Sequence, residues 1–298
     1  MKILKFGGTS VGSAKNINRV IDIISNISKE SKVAVVVSAV GGITDKLLAV
    51  ADKAIKKDST YKTDLESIKD IHQALIDELI TDEMYNIVSE IIQDRLNQLE
   101  RLLDGIYLIN ELSPKTTDKL LSFGELMSSY IIVEAMKVKG LDAKLKNSQD
   151  IVVTNSEHTN AAVNFNKTNA NINSYFKTNT NQITLFPGFI SKSVDGEHTT
   201  LGRGGSDYTA AILASALHAE ELQIWTDVSG MFTTNPKLVS QALPIHEISY
   251  QEAVELSHFG AKVLYPPTVQ PVLNKNIPIW IKNTMAPDDH GTLISTEC

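Results

Sequence analysis

The chain has 298 residues, 42% hydrophobic and 21% charged, the balance of a globular protein whose core needs no disulfide or metal staple. A formal net charge of −7 argues against an electrostatic nucleic-acid binder, and no run of about 18 apolar residues offers a membrane span. The single cysteine, Cys298, excludes a disulfide framework, and MKILKFGGTS is too short in apolar residues for a signal peptide, so the expected setting is the reducing cytosol.

Residues 2–6 read as a short strand that Gly7-Gly8 break. Ile17, Val20, Ile21, Ile24 and Ile27 then fall on one face of a helix over 14–29. Val33–Val37 is continuously apolar and β-branched, the pattern of a strand buried on both faces in a parallel sheet. Gly41-Gly42 end it, and a helix from Ile43 to Lys57 follows. Residues 64–110 predict one or two polar antiparallel helices outside the sheet. Ser113-Pro114 is a cap followed by a first-turn proline, opening a helix that runs to Lys139 and stops at Gly140.

Residues 155–182 carry nine asparagines and read as a solvated excursion of weak secondary structure. Alternation then resumes, with strands at Ile183–Ile190 and Leu222–Val228 and helices at Ser206–Ala219 and Tyr250–Phe259, the second stopped by Gly260. A helix near Thr268–Asn274 and a strand at Ile277–Lys282 close the pattern. No repeat, heptad or Pro/Ser linker divides the chain, which predicts one α/β fold with two lobes.

Four segments carry chemistry. Lys5-Phe6-Gly7-Gly8-Thr9-Ser10 joins a strand to a helix through two glycines. Glycines admit close backbone approach and a helix N-terminus favours an anion. Ser13 stands where a P-loop would place its lysine, so this is not a Walker loop, and alone it reads equally as a tight turn. In Thr200-Leu-Gly-Arg-Gly-Gly-Ser-Asp, glycines 202, 204 and 205 surround Arg203 just before a helix start, an arrangement suited to a carboxylate. Asp207 there also favours the helix dipole. Thr226-Asp227 end a buried strand, the usual address of ligands in open α/β sheets, though any polar strand-end loop looks similar. Lys262 follows a helix and Gly260, where a solvated lysine is the ordinary alternative. No His/Cys/Asp/Glu spacing matches a zinc site, and no metal ligands are expected from the chain.

Taken together, these segments resemble the aspartate kinases of the amino-acid kinase superfamily. The strings are KFGGTSVG, GGITD, SFGE, PGFIS, TTLGRGGSDYTAA, WTDVSGMFTTNPK, ELSHFGAKVLYPPT and IKNT followed by GTLIS, in family order along nearly the whole chain. The match is thin across 56–112 and 155–182, and the ending is similar to the kinase half of bifunctional aspartate kinase–homoserine dehydrogenases. The resemblance implies a three-layer sandwich with a central, mainly parallel sheet, with residues 1–220 as an aspartate-binding lobe and 221–298 as a nucleotide-binding lobe.

It further implies transfer of the ATP γ-phosphoryl group to the side-chain carboxylate of L-aspartate, opening lysine, threonine and methionine biosynthesis. Lys5, Asp207 and Lys262 would be catalytic, with Asp207 orienting the lysines near the phosphates. Thr44, Glu125, Phe189, Arg203 and Ser206 would line the aspartate pocket, Arg203 taking the α-carboxylate and Glu125 the α-ammonium. Gly7, Gly8, Thr9, Ser10, Thr226, Asp227, Phe232, Lys237 and Lys262 would hold MgATP, with Mg²⁺ carried mostly by phosphates and water. Lys5, Arg203 and Lys262 are thus expected around one cavity. Ser229, Phe232, Lys237 and Tyr265 replace the family's usual aspartate, tyrosine, arginine and histidine. Family members work as homodimers or fused to regulatory and dehydrogenase domains. No regulatory domain is expected here, which predicts insensitivity to lysine and threonine. The competing readings are a kinase of glutamate, acetylglutamate or UMP, and a non-catalytic ligand sensor on the same fold.

Overall fold

The computed structural model describes residues 1–234, 238–239, 241–258 and 264–296. β1 (Lys2–Phe6) and β2 (Val33–Val37) form as expected, joined by α1 (Ala14–Ser28). Ser13 caps α1 by accepting from the Asn16 N–H, and Ile17, Val20, Ile21 and Ile24 turn inward. α2 (Ile43–Ile55) begins at Gly42. The 64–110 segment resolves into two helices, α3 (Tyr61–Leu79) and α4 (Asp82–Ile109), packed against α2. Their polarity is one-sided: Leu65, Ile68 and Ile76 of α3 and Val88, Leu99 and Leu103 of α4 are buried. α5 (Pro114–Val138) has the Ser113 cap and first-turn proline, and Gly140 follows it with φ +76°.

After β3 (Ala143–Leu145) and β4 (Val153–Thr154), the asparagine-rich stretch departs from expectation by forming α6 (Phe165–Thr178). Asn164 caps it, and a narrow stripe suffices to dock it: Thr168 and Ile172 are buried, while Tyr175 and Phe176 meet the Phe186 ring. The strand expected over Ile183–Ile190 is also divided. β5 (Ile183–Pro187) ends at Gly188, Phe189 turns left-handed with φ 67°, and β6 (Ile190–Ser193) pairs instead with β4 and with β7 (His198–Thr200). The Phe189 N–H donates to Thr209 Oγ1 at 3.1 Å, a partner remote in sequence, which accounts for the bend.

α7 (Gly205–Leu217) and β8 (Glu221–Thr226) match expectation. β9 (Met231–Phe232), β10 (Pro244–Ile245) and β11 (Glu247–Ser249) are too short for a periodic pattern to reveal. α8 (Tyr250–His258), α9 (Pro266–Leu273), β12 (Ile279–Asn283) and β13 (Thr292–Ser295) complete the order. The expected stop at Gly260 lies outside the described residues.

The main sheet runs β11-β13-β12-β8-β1-β2-β5-β3. From β12 to β3 every pair is parallel, and only β13, antiparallel to β12, reverses direction together with β11. One core lies between the sheet and α1–α5, the other between the sheet and α6–α9. β1 is flanked by β2 and β8, and the helices next to it, α1 and α7, lie on opposite faces. The carboxyl ends of β1, β2 and β8 therefore meet at a switch point, where this architecture opens a crevice. Among the described residues no helix is long and apolar enough to cross a membrane.

Candidate active site

A cavity of about 350 Å³ opens at that switch point, lined by Lys5, Gly8, Thr44, Glu125, Phe189, Ser206 and Asp207 together with the loop residues around them. Seven candidates from distant stretches of sequence thus meet in one place. Lys5 shares the α7 face of β1 with buried Ile3, two residues before it, and its Nζ lies 2.7 Å from Asp207 Oδ1 in the first turn of α7. A Cβ on Gly7 would lie 3.5 Å from that Nζ, an ordinary contact distance, so the ammonium sits directly against the glycine loop.

Two loops form the rim by direct backbone contact. A Cβ on Gly41 would meet the Gly8 carbonyl oxygen at 3.0 Å, and one on Gly8 would meet the Ala39 oxygen at 3.2 Å. α2 and α7 both start at left-handed glycines, Gly42 and Gly204, and neither has a side-chain cap. The first N–H of each bonds back into its own loop, Ile43 to the Val40 carbonyl and Gly205 to the Gly202 carbonyl, but the rest of each first turn, Thr44-Asp45 and Ser206-Asp207, lines the cavity with the positive dipole end behind it, a setting that favours anions. Between them Ser38 Oγ donates to Ser206 Oγ at 2.9 Å, and Ser128 Oγ holds the Ser38 carbonyl at 2.8 Å.

Glu125 supplies the opposite polarity. It is 3% exposed on α5, its Oε2 has no hydrogen-bond partner, and it lines the cavity. Burial pushes its carboxyl up to about 8, only partly offset by the Ala39 N–H. A cationic ligand group would relieve that cost. Gly124 beside it lets α5 pack closely on Ala39, whose Cβ would lie 2.9 Å from an added Cβ.

Some candidates stand elsewhere. Arg203 is exposed and is not among the lining groups; its guanidinium lies 5.3 Å from the Tyr265 ring centre, whose π face attracts it. Lys262 and Lys237 lie outside the described residues, so of the three cations expected around one cavity the structure brings Lys5 there. Among the described lining residues Lys5 stands with three carboxyl groups, Asp45, Glu125 and Asp207, and the N-terminal ends of α2 and α7 add positive partial charge. Ser10, expected beside the nucleotide, has its side chain turned into the interior. It is fully buried, and its Oγ reaches Thr284 Oγ1 at 2.8 Å and the Trp225 carbonyl, fastening the glycine loop to the ends of β8 and β12.

Gly7 N–H also donates to the carbonyl of Trp225, the residue before Thr226 and Asp227, while Thr9 is exposed and Phe232 lies on the β9–β10 ribbon. Ser229 bonds the Asp289 carboxylate, so an acid reaches this loop from a different segment. Sequence reading missed Ser38, Asp45 and Asp289. A buried strand ending in Gly41-Gly42 repeats the Gly7-Gly8 signal and marks the first two, but nothing local marks Asp289. A second groove, of about 420 Å³ beside Arg19, Trp225 and Lys282, lies along α1 on the sheet's half-covered face and holds none of these candidates.

Comparison with known proteins gives this geometry a family. The chain is 37% identical over 298 residues to the lysine-sensitive aspartokinase 3 of Escherichia coli, covering 98% of this chain and 63% of the relative. It is 34% identical to a chloroplastic bifunctional aspartokinase/homoserine dehydrogenase 2 of Arabidopsis thaliana, covering 97% of this chain and 32% of that protein. The chain thus spans from about a third to just under two thirds of these relatives' length. The E. coli aspartokinase III structure in complex with aspartate and ADP superposes with a TM-score of 0.91 at 35% identity, over all of this chain and 65% of that one. A uridylate kinase of Archaeoglobus fulgidus shares the fold, with a TM-score of 0.53 at 15% identity, 99% of each chain being covered. The model of the amino acid kinase family matches residues 1–283, and the chain belongs to that family.

Proposed function

We propose that the chain is the catalytic unit of an aspartate kinase, transferring the γ-phosphoryl group of ATP to the β-carboxylate of L-aspartate to give 4-phospho-L-aspartate. The observation that carries this reading is Glu125, a buried carboxyl with an unpartnered oxygen, in the same cavity as the Lys5–Asp207 pair. An amino acid with a free ammonium satisfies Glu125, whereas acetylglutamate and UMP offer it no such cation. The Arabidopsis and E. coli relatives named above, and the aspartate–ADP complex, support the same substrate.

The nucleophile needs little help. A carboxylate with a pKa near 4 is already ionised at neutral pH, so no general base is required. Its difficulty is approaching a polyphosphate, and positioning with electrostatic stabilisation is what phosphoryl transfer asks of a protein. In this reading Glu125 holds the α-ammonium, while Thr44, Ser206 and the open N-termini of α2 and α7 receive carboxylates. Lys5, oriented by Asp207, faces the transferring group. Arg203 reaches the α-carboxylate by swinging from Tyr265, on a loop whose neighbours Gly202 and Gly204 already line the cavity.

Residues 1–220 would form the aspartate side and 221–298 the nucleotide side, with Thr226, Asp227 and Phe232 near ATP. The roles of Lys237 and Lys262 rest on resemblance alone. The described residues offer no cluster of three His, Cys, Asp or Glu groups for a metal, and we assign Mg²⁺ to the phosphates of its nucleotide.

The test is a coupled assay with ATP, Mg²⁺ and, in turn, aspartate, glutamate, N-acetylglutamate and UMP, trapping acyl phosphate with hydroxylamine. Aspartate alone should give hydroxamate at a substantial rate. Turnover confined to another acceptor, or aspartate binding without turnover, would refute the reading.

A further inference from the structure

We infer that Asp118 is a positioning residue for the amino-acid subsite, anchoring the glycine loop 201–205 to the helix that carries Glu125. The inference rests on the aspartate kinase reading for its kinetics but not for its structural content. Asp118 is fully buried in the second turn of α5, seven residues and so two turns before Glu125. A carboxylate so placed must be hydrogen-bonded to persist, and its partners converge from two other segments. Oδ1 accepts from Thr200 Oγ1 at 2.6 Å, and both oxygens accept from the Thr159 N–H, at 3.1 and 2.9 Å. Oδ2 also meets His158 Nδ1 at 2.9 Å.

These bonds lead directly to the cavity. Thr200 ends β7, and the next residues are the loop whose Gly202, Gly204 and Gly205 line the site. Thr159 holds a left-handed φ of 70°, strained for a β-branched residue, and the carboxylate captures its N–H there. That turn presents Asn160, whose Oδ1 fills the space a Cβ on Gly202 would need, while the Ala161 N–H donates to the Thr200 carbonyl at 2.9 Å. The Leu201 N–H in turn binds the Phe189 carbonyl, and Phe189 lines the cavity. His158 continues outward to Glu197 at 3.3 Å, which Lys115 of α5 also holds. One helix thereby sets the spacing between the ammonium acceptor and the loop facing it.

The test uses Asp118→Asn and Thr200→Val in the full chain. Steady-state kinetics should show the aspartate KM raised tenfold or more in each, with kcat and the ATP KM within about threefold of wild type. The double variant should be no worse than the poorer single. Hydrogen exchange should show faster exchange at the amides of Ala161 and Leu201, with β1 and β2 amides unchanged. Should Asp118→Asn fail to fold, Thr200→Val, which removes one bond, decides alone. An aspartate KM within twofold of wild type, or kcat and both KM values shifting together, overturns the inference. If the wild type does not phosphorylate aspartate, the functional reading falls and exchange alone decides: unchanged protection at Ala161 and Leu201 overturns the anchor.

Discussion

On the β2-β5 flank helices cover both faces of the sheet, whereas on the β8-β12-β13 flank one face is partly open. β2 and β5 are buried at every position, while β12 and β13 alternate buried and half-buried residues. The open face is furnished with polar ties: Lys2 pairs with Glu221 at 3.1 Å, and Lys282 lies 5.5 Å from the Trp225 ring centre. The cavity borders the closed flank and is framed by closely packed glycine backbones, while Thr226, Asp227 and Phe232, expected to contact the nucleotide, follow from the open one. A close backbone contact leaves little room for a side chain, whereas a side-chain tie can be supplied from another segment, as Asp289 reaching Ser229 illustrates. The family's departures at Ser229 and Phe232 accordingly fall on the open side.

The largest effect should come where the two flanks meet. Lys5→Met should lower kcat by about a thousandfold, or ~4 kcal/mol, because its charge counts most in the transition state. A loss under tenfold in steady-state turnover would show that Lys5 does not face the transferring group. Next, Leu185→Ala in β5 should cost roughly 2–5 kcal/mol in denaturant unfolding, while Leu293→Ala in β13 should cost less than about 1 kcal/mol. Equal losses would erase the contrast between flanks.

Glu125 offers a pH axis. Its carboxyl is raised from about 4.5 to about 8 in the fold, so its contribution to stability is full below 4.5 and is lost as pH rises through 8. Glu125→Gln should therefore unfold at higher temperature than wild type at pH 8.5, with the gap closing below pH 5. In wild type the aspartate KM should fall as pH rises from 6.5 to 8.5, because the ammonium needs the ionised acid; a flat profile counts against that pairing. Arg203→Ala should raise the aspartate KM by roughly 1–2 kcal/mol, less than a fully buried clamp would, since the guanidinium must leave an aromatic partner. The smallest effect is expected for Ser229→Ala, a change in ATP KM of threefold or less.

Sequence alone carried the closed flank well. The unbroken apolar run of Val33–Val37 announces a doubly covered strand, and paired glycines after it and after Phe6 announce the rim. Lys5, Glu125, Ser206 and Asp207 were reachable as motif positions. What escaped depends on partners far along the chain. Thr209 bends Phe189, Thr284 draws Ser10 into the interior, and Tyr265 turns Arg203 aside. α6 escaped because two buried side chains and a few rings dock it, too few to mark among nine asparagines.

The abutment of Gly8 on Gly41 has a practical bearing on redesign. Those two turns behave as a tight jamb, since a methyl group on Gly41 would meet the Gly8 oxygen at 3.0 Å and one on Gly8 the Ala39 oxygen at 3.2 Å, so that the backbone opposite must give by a few tenths of an ångström. The opposite side, 201–205, is tied by side-chain hydrogen bonds, and there it is side chains, Asn160 against Gly202 and the Phe189 ring against Gly205, that fill the space beside the glycines. A library meant to admit bulkier acceptors should therefore randomise Thr200, Leu201 and Asn160 and leave the jamb untouched.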